Sequence, residues 1–137
     1  MLAALDEPRQ LPHSQSAVAG DGFAFWAPGV ANIGNFAAFD ANGCSNTVCN
    51  PVWRASIAAD PVAIGGSVLY ASDSLNVYAF DAGGSTGCAG SVCSPLWSTN
   101  RPSGSVDIQN AIVANGTLYV AGQATSGAAK VFAYGLP

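Results

Sequence analysis

Apolar positions come in short bursts along the chain, and each burst is closed by Gly, Asn, Asp or Pro. Bursts of this kind, rich in Val, Ile, Phe and Tyr, predict strands rather than helices. Three stretches share one pattern: Ser16 to Phe25, Pro61 to Tyr70 and Ala111 to Val120. Each reads as an apolar strand, a Gly-containing turn and a second apolar strand. Asp21-Gly22, Gly65-Gly66 and Asn115-Gly116 supply the positive φ angles that two-residue hairpin turns require. A third strand is predicted after each hairpin, at Phe36–Asp40, Val77–Asp81 and Val131–Tyr134. A fourth, short and carrying a tryptophan, is predicted at Val52–Ser56 and Leu96–Ser98. The third unit has no such strand.

The segments after the third strands repeat in sequence as well as in pattern. Ala38 to Trp53 reads A-F-D-A-N-G-C-S-N-T-V-C-N-P-V-W, and Ala79 to Trp97 reads A-F-D-A-G-G-S-T-G-C-A-G-S-V-C-S-P-L-W. Asp40 matches Asp81 at an offset of 41 residues. After a three-residue insertion, Cys44, Cys49, Pro51 and Trp53 match Cys88, Cys93, Pro95 and Trp97 at an offset of 44. The predicted fold is all-β. Four short antiparallel strands per unit describe a propeller blade. The chain would hold two and a half to three blades, over about 16–56, 61–99 and 108–135, in an incomplete propeller spanning 16–137. Residues 1–15 read as a polar, flexible leader.

Composition narrows the function. Half of the 137 residues are hydrophobic and only 9% are charged, with 8 acidic against 4 basic residues. That excludes a disordered chain. Four scattered cations cannot form the basic stripe that nucleic acid or an anionic membrane surface demands. The longest uncharged stretch, Ile108 to Ala129, carries too many polar and glycine residues for a membrane span. Met1 to Ser16 lacks the apolar run of a secretory signal.

Ala-x-Asp, then Gly, then Trp resembles the tryptophan-docking motif of pyrroloquinoline-quinone-like (quinoprotein) β-propeller repeats. The first copy is Ala38, Asp40, Gly43 and Trp53; the second is Ala79, Asp81, Gly84 and Trp97. The blocks from Val113 and from Ser67 are similar to the strands that precede the motif in that family. The resemblance covers about residues 16–135, and it implies a propeller whose blades dock through these residues. A buried indole covers much apolar area and needs a carbonyl for its N–H. An Asp after the third strand can fold an Asx-type turn. Three departures stand out. Gly comes one residue early after Asp, a Cys-bearing insertion separates Gly from Trp, and Gly135 stands where a third Asp is expected.

The cysteines form two C-x4-C pairs, Cys44/Cys49 and Cys88/Cys93. Local disulfides, free thiols and one four-thiolate zinc site are the alternatives. Disulfides are favoured, since equivalent loops of adjacent units sit apart and each pair can close across its own loop. Such bridges belong to an extracellular, periplasmic or cell-surface protein. With no signal peptide in view, the chain is expected to be the C-terminal part of a longer exported protein.

No catalytic residue is assigned. His13 is alone, so no Ser–His–Asp or Cys–His set can form. Arg54 and Arg101 read as rim residues. Asn115 is formally a glycosylation sequon but reads better as a turn. The expected function is a non-catalytic propeller segment acting as a scaffold or as a protein- or ligand-binding module, without cofactor. Its partners would be an unknown protein or the remaining blades. The family resemblance supplies one alternative, a piece of a quinone-dependent dehydrogenase using the quinone and calcium. Another is a secreted carbohydrate-binding domain using Trp26.

Overall fold

A computed structural model describes residues 17–27, 35–43, 48–73, 75–100, 105–124 and 126–135, with only the backbone of 105–109. The leader 1–15, His13, Cys44 and Arg101 lie outside the described residues. The described residues form strands and turns without a helix, arranged as three mostly antiparallel sheets, none closed on itself. Sheet 1 begins with β1 (Ala17–Gly20), β2 (Phe23–Trp26), β3 (Ala37–Asp40) and β4 (Trp53–Ala55), paired in that order. Sheet 2 contains β5 (Asp60–Gly65), β6 (Val68–Ser72) and β7 (Asn76–Asp81). Next in the chain come two very short strands, β8 (Cys88–Ala89) and β9 (Val92–Cys93), and then β10 (Trp97–Asn100), which completes sheet 2 beside β7. Sheet 3 is β11 (Ser105–Ala114), β12 (Thr117–Ala124) and β13 (Ala129–Gly135).

The turns explain the hairpins. Asp21 and Gly22 have φ of 52° and 80°, and Asn115 and Gly116 have 49° and 71°. Two positive angles in succession match the right-handed twist of the flanking strands. In the middle hairpin Gly65 pairs with Val68, so the turn residues are Gly66 and Ser67, one position later than the sequence suggested. Only Gly66, at 59°, is positive there, as in a turn that needs glycine at its first central position. Pro61 is tolerated in β5 because that strand lies at the sheet edge, and a bulge follows it between Pro61 and Ala63.

Two cores lie between the three sheets. Phe25, Phe36, Ala38 and Trp53 of sheet 1 and its flank pack against Leu69, Ala71 and Phe80 of sheet 2. Ala63, Tyr70, Val77 and Ala79 of sheet 2 pack against Ala111, Leu118 and Val120 of sheet 3. Successive side chains of a strand point to opposite faces. Leu69 and Tyr70 therefore enter different cores, as do Ala79 and Phe80. This explains the unbroken apolar run of β6, since a strand covered on both faces has no polar alternation.

One expectation about the units is corrected. Four antiparallel strands describe sheet 2 alone. Sheet 1 has six strands, because β9 joins β4 in parallel and β8 follows β9. Sheet 3 has three. The extra strands of sheet 1 are the cysteine-bearing insertion of the second unit, which leaves its own sheet and crosses to its neighbour.

Candidate functional site

The tryptophan of the first motif copy is seated between sheets. Trp53 is 2% exposed, and its indole N–H donates to the Ala82 carbonyl at 3.1 Å. Its ring stacks on Phe80 (6.1 Å between centroids, 26°) and meets Phe36 at a steep angle (5.7 Å, 70°). Gly84 forms the floor under the indole. A Cβ on Gly84 would stand 2.8 Å from Trp53 Nε1, and its φ of +68° disfavours a side chain regardless.

Asp81 folds the turn that carries this floor. Its Oδ1 accepts the Gly83 amide at 3.1 Å, and its Oδ2 accepts the Ser85 and Thr86 amides at 3.0 and 2.7 Å and the Ser85 hydroxyl at 2.6 Å. These bonds, the Ser85 hydroxyl foremost, hold the Asp81 carboxyl below its ordinary value, while partial burial works the other way. Phe80, Ala82 and Gly84, carried by the Asp81 turn of one sheet, thus build the seat for Trp53 of the sheet before it, whereas Ala79, the first residue of that motif copy, faces the other core and pairs with Trp97.

The insertion locks this arrangement. Cys88 and Cys93 face each other across the β8–β9 hairpin and are joined by a disulfide. The hairpin then pairs with β4: the Arg54 amide donates to the Ser91 carbonyl at 2.8 Å, and the Ser56 amide to the Cys93 carbonyl at 2.7 Å. Cys93 is buried in the same core as Trp53. Replacing both Cys88 and Cys93 with serine is expected to lower stability by about 2 kcal/mol, the chain-entropy value for so short a loop. The amides of Arg54 and Ser56 should lose hydrogen-exchange protection first. Unchanged protection at those two amides would show that the hairpin holds β4 without its bridge.

The other halves of the two motifs are left open. Asp40 folds a smaller turn, its Oδ1 accepting the Asn42 amide at 2.8 Å and the Asn42 side chain at 3.0 Å. Gly43 has a φ of +101°, but beyond its chain neighbours no atom of the described residues lies within 4 Å of where its Cβ would be. Cys49 is disulfide-bonded. Trp97 is 43% exposed and touches Tyr134 edge-on, 6.3 Å between centroids. At the third unit, Thr117 pairs with Gly135 as Val68 pairs with Asp81. Gly135 has no carboxylate to fold a seat for Trp97. In its place lies a cleft of about 950 Å³ whose lining includes Tyr70, Ala79, Leu96, Trp97, Val113 and Tyr134. Burial pushes the Tyr70 and Tyr134 hydroxyls up from their ordinary values. They remain neutral and can donate or accept at the wall of an otherwise apolar space.

One polar cluster was not visible in the sequence. Asp73 Oδ1 accepts the Leu75 and Asn76 amides, each at 2.7 Å, and Oδ2 accepts the Tyr78 hydroxyl at 2.7 Å. Burial opposes its charge, but these bonds outweigh burial and hold Asp73 below its ordinary value. Asp-x-x-Asn between two strands was the available signal for this turn. Asp40, Asp73 and Asp81 are all engaged in folding turns, and Asp21 sits in a hairpin turn. The Arg54 side chain is exposed on β4, and Trp26 is 41% exposed at the end of β2. Among the described residues no helix is long and apolar enough to cross a membrane, and no three His, Cys, Asp or Glu side chains gather as metal ligands would. No family model matches the chain, and neither a curated protein nor a solved structure matches it.

Proposed function

We propose that the chain is a non-catalytic β-propeller segment of an exported protein, with each sheet serving as a blade and the quinoprotein-type repeat as its building unit. Trp53 carries this reading. It leaves one sheet, lies on the Gly84 floor of the next and bonds the Ala82 carbonyl there, the neighbouring carbonyl that a buried indole N–H needs. The Cys88–Cys93 bridge supports an oxidising location. The role of the segment is to present a binding surface, and the surface best equipped for it is the aromatic cleft at Trp97. That cleft is bounded by the same repeat positions that surround Trp53, with Gly135 at the position where Asp81 folds the Trp53 seat. Its ligand is accordingly a glycine-containing turn of a protein chain.

An oxidised peptide of residues 79–95, which carries the Trp53 seat and no tryptophan of its own, tests this. It should shift Trp97 fluorescence, and Trp97→Ala should abolish the shift. The quinone with calcium should change neither spectrum nor stability. A calcium-dependent quinone complex, with no response to the peptide, would reverse the assignment in favour of a dehydrogenase fragment. A second reading, carbohydrate binding, draws on the exposed ring of Trp26. A glycan array comparing the chain with Trp26→Ala decides it, and equal signals would remove Trp26 from consideration.

A further inference from the structure

The three hairpins can be superimposed through the pairs that close their turns: Gly20 with Phe23, Gly65 with Val68, and Ala114 with Thr117. Phe25, Tyr70 and Tyr119 then share one position, and Ala24, Leu69 and Leu118 the next. The first set lies on the forward face of each sheet, toward the following one. Phe25 is buried against sheet 2 and Tyr70 against sheet 3. The second set lies on the rear face, where Leu69 and Leu118 are buried against the preceding sheet. Among the described residues forward meets rear twice, and one face of each kind is left over. On the forward face of sheet 3, Ile112, Tyr119 and Val131 are 60%, 37% and 68% exposed. On the rear face of sheet 1, Ala19 is exposed, Ala24 half-buried and Trp26 41% exposed.

A size match points to what covers them. A Cβ on Gly20 would lie 2.7 Å from Ile64 Cγ2, and one on Gly65 would lie 2.8 Å from Val113 Cγ1. In both cores a forward glycine makes room for a rear β-branched side chain. The leftover forward position is Ala114 and the leftover rear position is Ala19. Here the added methyl is answered by a smaller partner, so the two sheets can approach as closely as the internal pairs do.

We propose that two copies of the chain join head to tail, the forward face of sheet 3 in one seating on the rear face of sheet 1 in the other. The contact repeats the relation that already joins sheets 1 to 2 and 2 to 3. Its closure rests on the propeller reading: the three described sheets of two copies would make six blades, within the roughly four to eight of closed propellers. A head-to-tail contact forms a ring when its rotation closes.

Sedimentation of the oxidised chain should give a two-chain species that dissociates on dilution. Ile112→Asp on the forward face and Trp26→Asp on the rear face should each weaken association at least about tenfold, because each buries an unpaired carboxylate in the contact. Both variants should keep the wild-type circular dichroism spectrum. Mixing them should restore a two-chain species, since the mixture has one intact forward face and one intact rear face. Failure of the mixture to associate, or a ladder of longer polymers, overturns the ring. A wild-type monomer that unfolds cooperatively overturns the pairing, leaves the two faces to further blades or another protein, and leaves the propeller reading standing. A chain without cooperative unfolding overturns both.

Discussion

Trp53→Ala should lower the unfolding free energy by about 3–5 kcal/mol, the range for truncating a large buried aromatic. Trp97→Ala should cost only roughly 0.5–1 kcal/mol, as expected for an exposed ring with one edge-on neighbour. The two residues hold the same place in the sequence repeat, so the contrast measures the seat and not the motif. Trp53 loses ring contacts with Phe25, Phe36 and Phe80, leaves a cavity between two sheets, and strands the Ala82 carbonyl. Trp53→Phe separates these terms. It keeps most of the apolar contact and loses the hydrogen bond, and should cost about 1–3 kcal/mol. Urea unfolding followed by far-ultraviolet circular dichroism gives all three values. Equal losses at positions 53 and 97 would mean that the Gly84 seat contributes nothing.

Gly84→Ala should be nearly as damaging, at about 2–5 kcal/mol. A side chain in the left-handed region costs about 1–2 kcal/mol, and forcing a methyl into a packed contact adds about 1–3. Gly43→Ala is the matched control. Its φ is also positive, but no described residue beyond its chain neighbours stands against it, so the backbone cost of about 1–2 kcal/mol is the one expected. Placed on a Trp53→Ala background, Gly84→Ala should fall to the Gly43 value, because the clashing partner is gone. If Gly84→Ala costs the same on both backgrounds, the indole does not rest on Gly84.

Strand class, turn positions and repeat were readable from the chain because each depends on local chemistry. Asp-Gly and Asn-Gly declare their turns through backbone angles, and alternation declares strands through side-chain direction. Asp40 and Asp81 were likewise legible as turn residues. What escaped was non-local. Nothing in the sequence Cys88 to Cys93 distinguishes a hairpin that closes on itself from one that also pairs with β4, more than thirty residues earlier. The different fates of Trp53 and Trp97 were hidden for the same reason. Each depends on the turn of the following sheet, which begins at Asp81 for Trp53 and at Gly135 for Trp97. Gly65 looked like an ordinary turn glycine and nothing singled out Gly20, whereas the approach of Val113 and Ile64 constrains both.

The pairing of β9 with β4 also sets an order of assembly. Sheet 1 cannot be complete until residue 93 has been made. On a ribosome, the first sheet would wait for the second with its outer edge bare and Trp53 unseated. The loop that must close first spans Arg54 to Val92, and long loops slow the step that needs them. Completion of the first sheet is thus delegated to the second, which ties the folding of the two units into a single event.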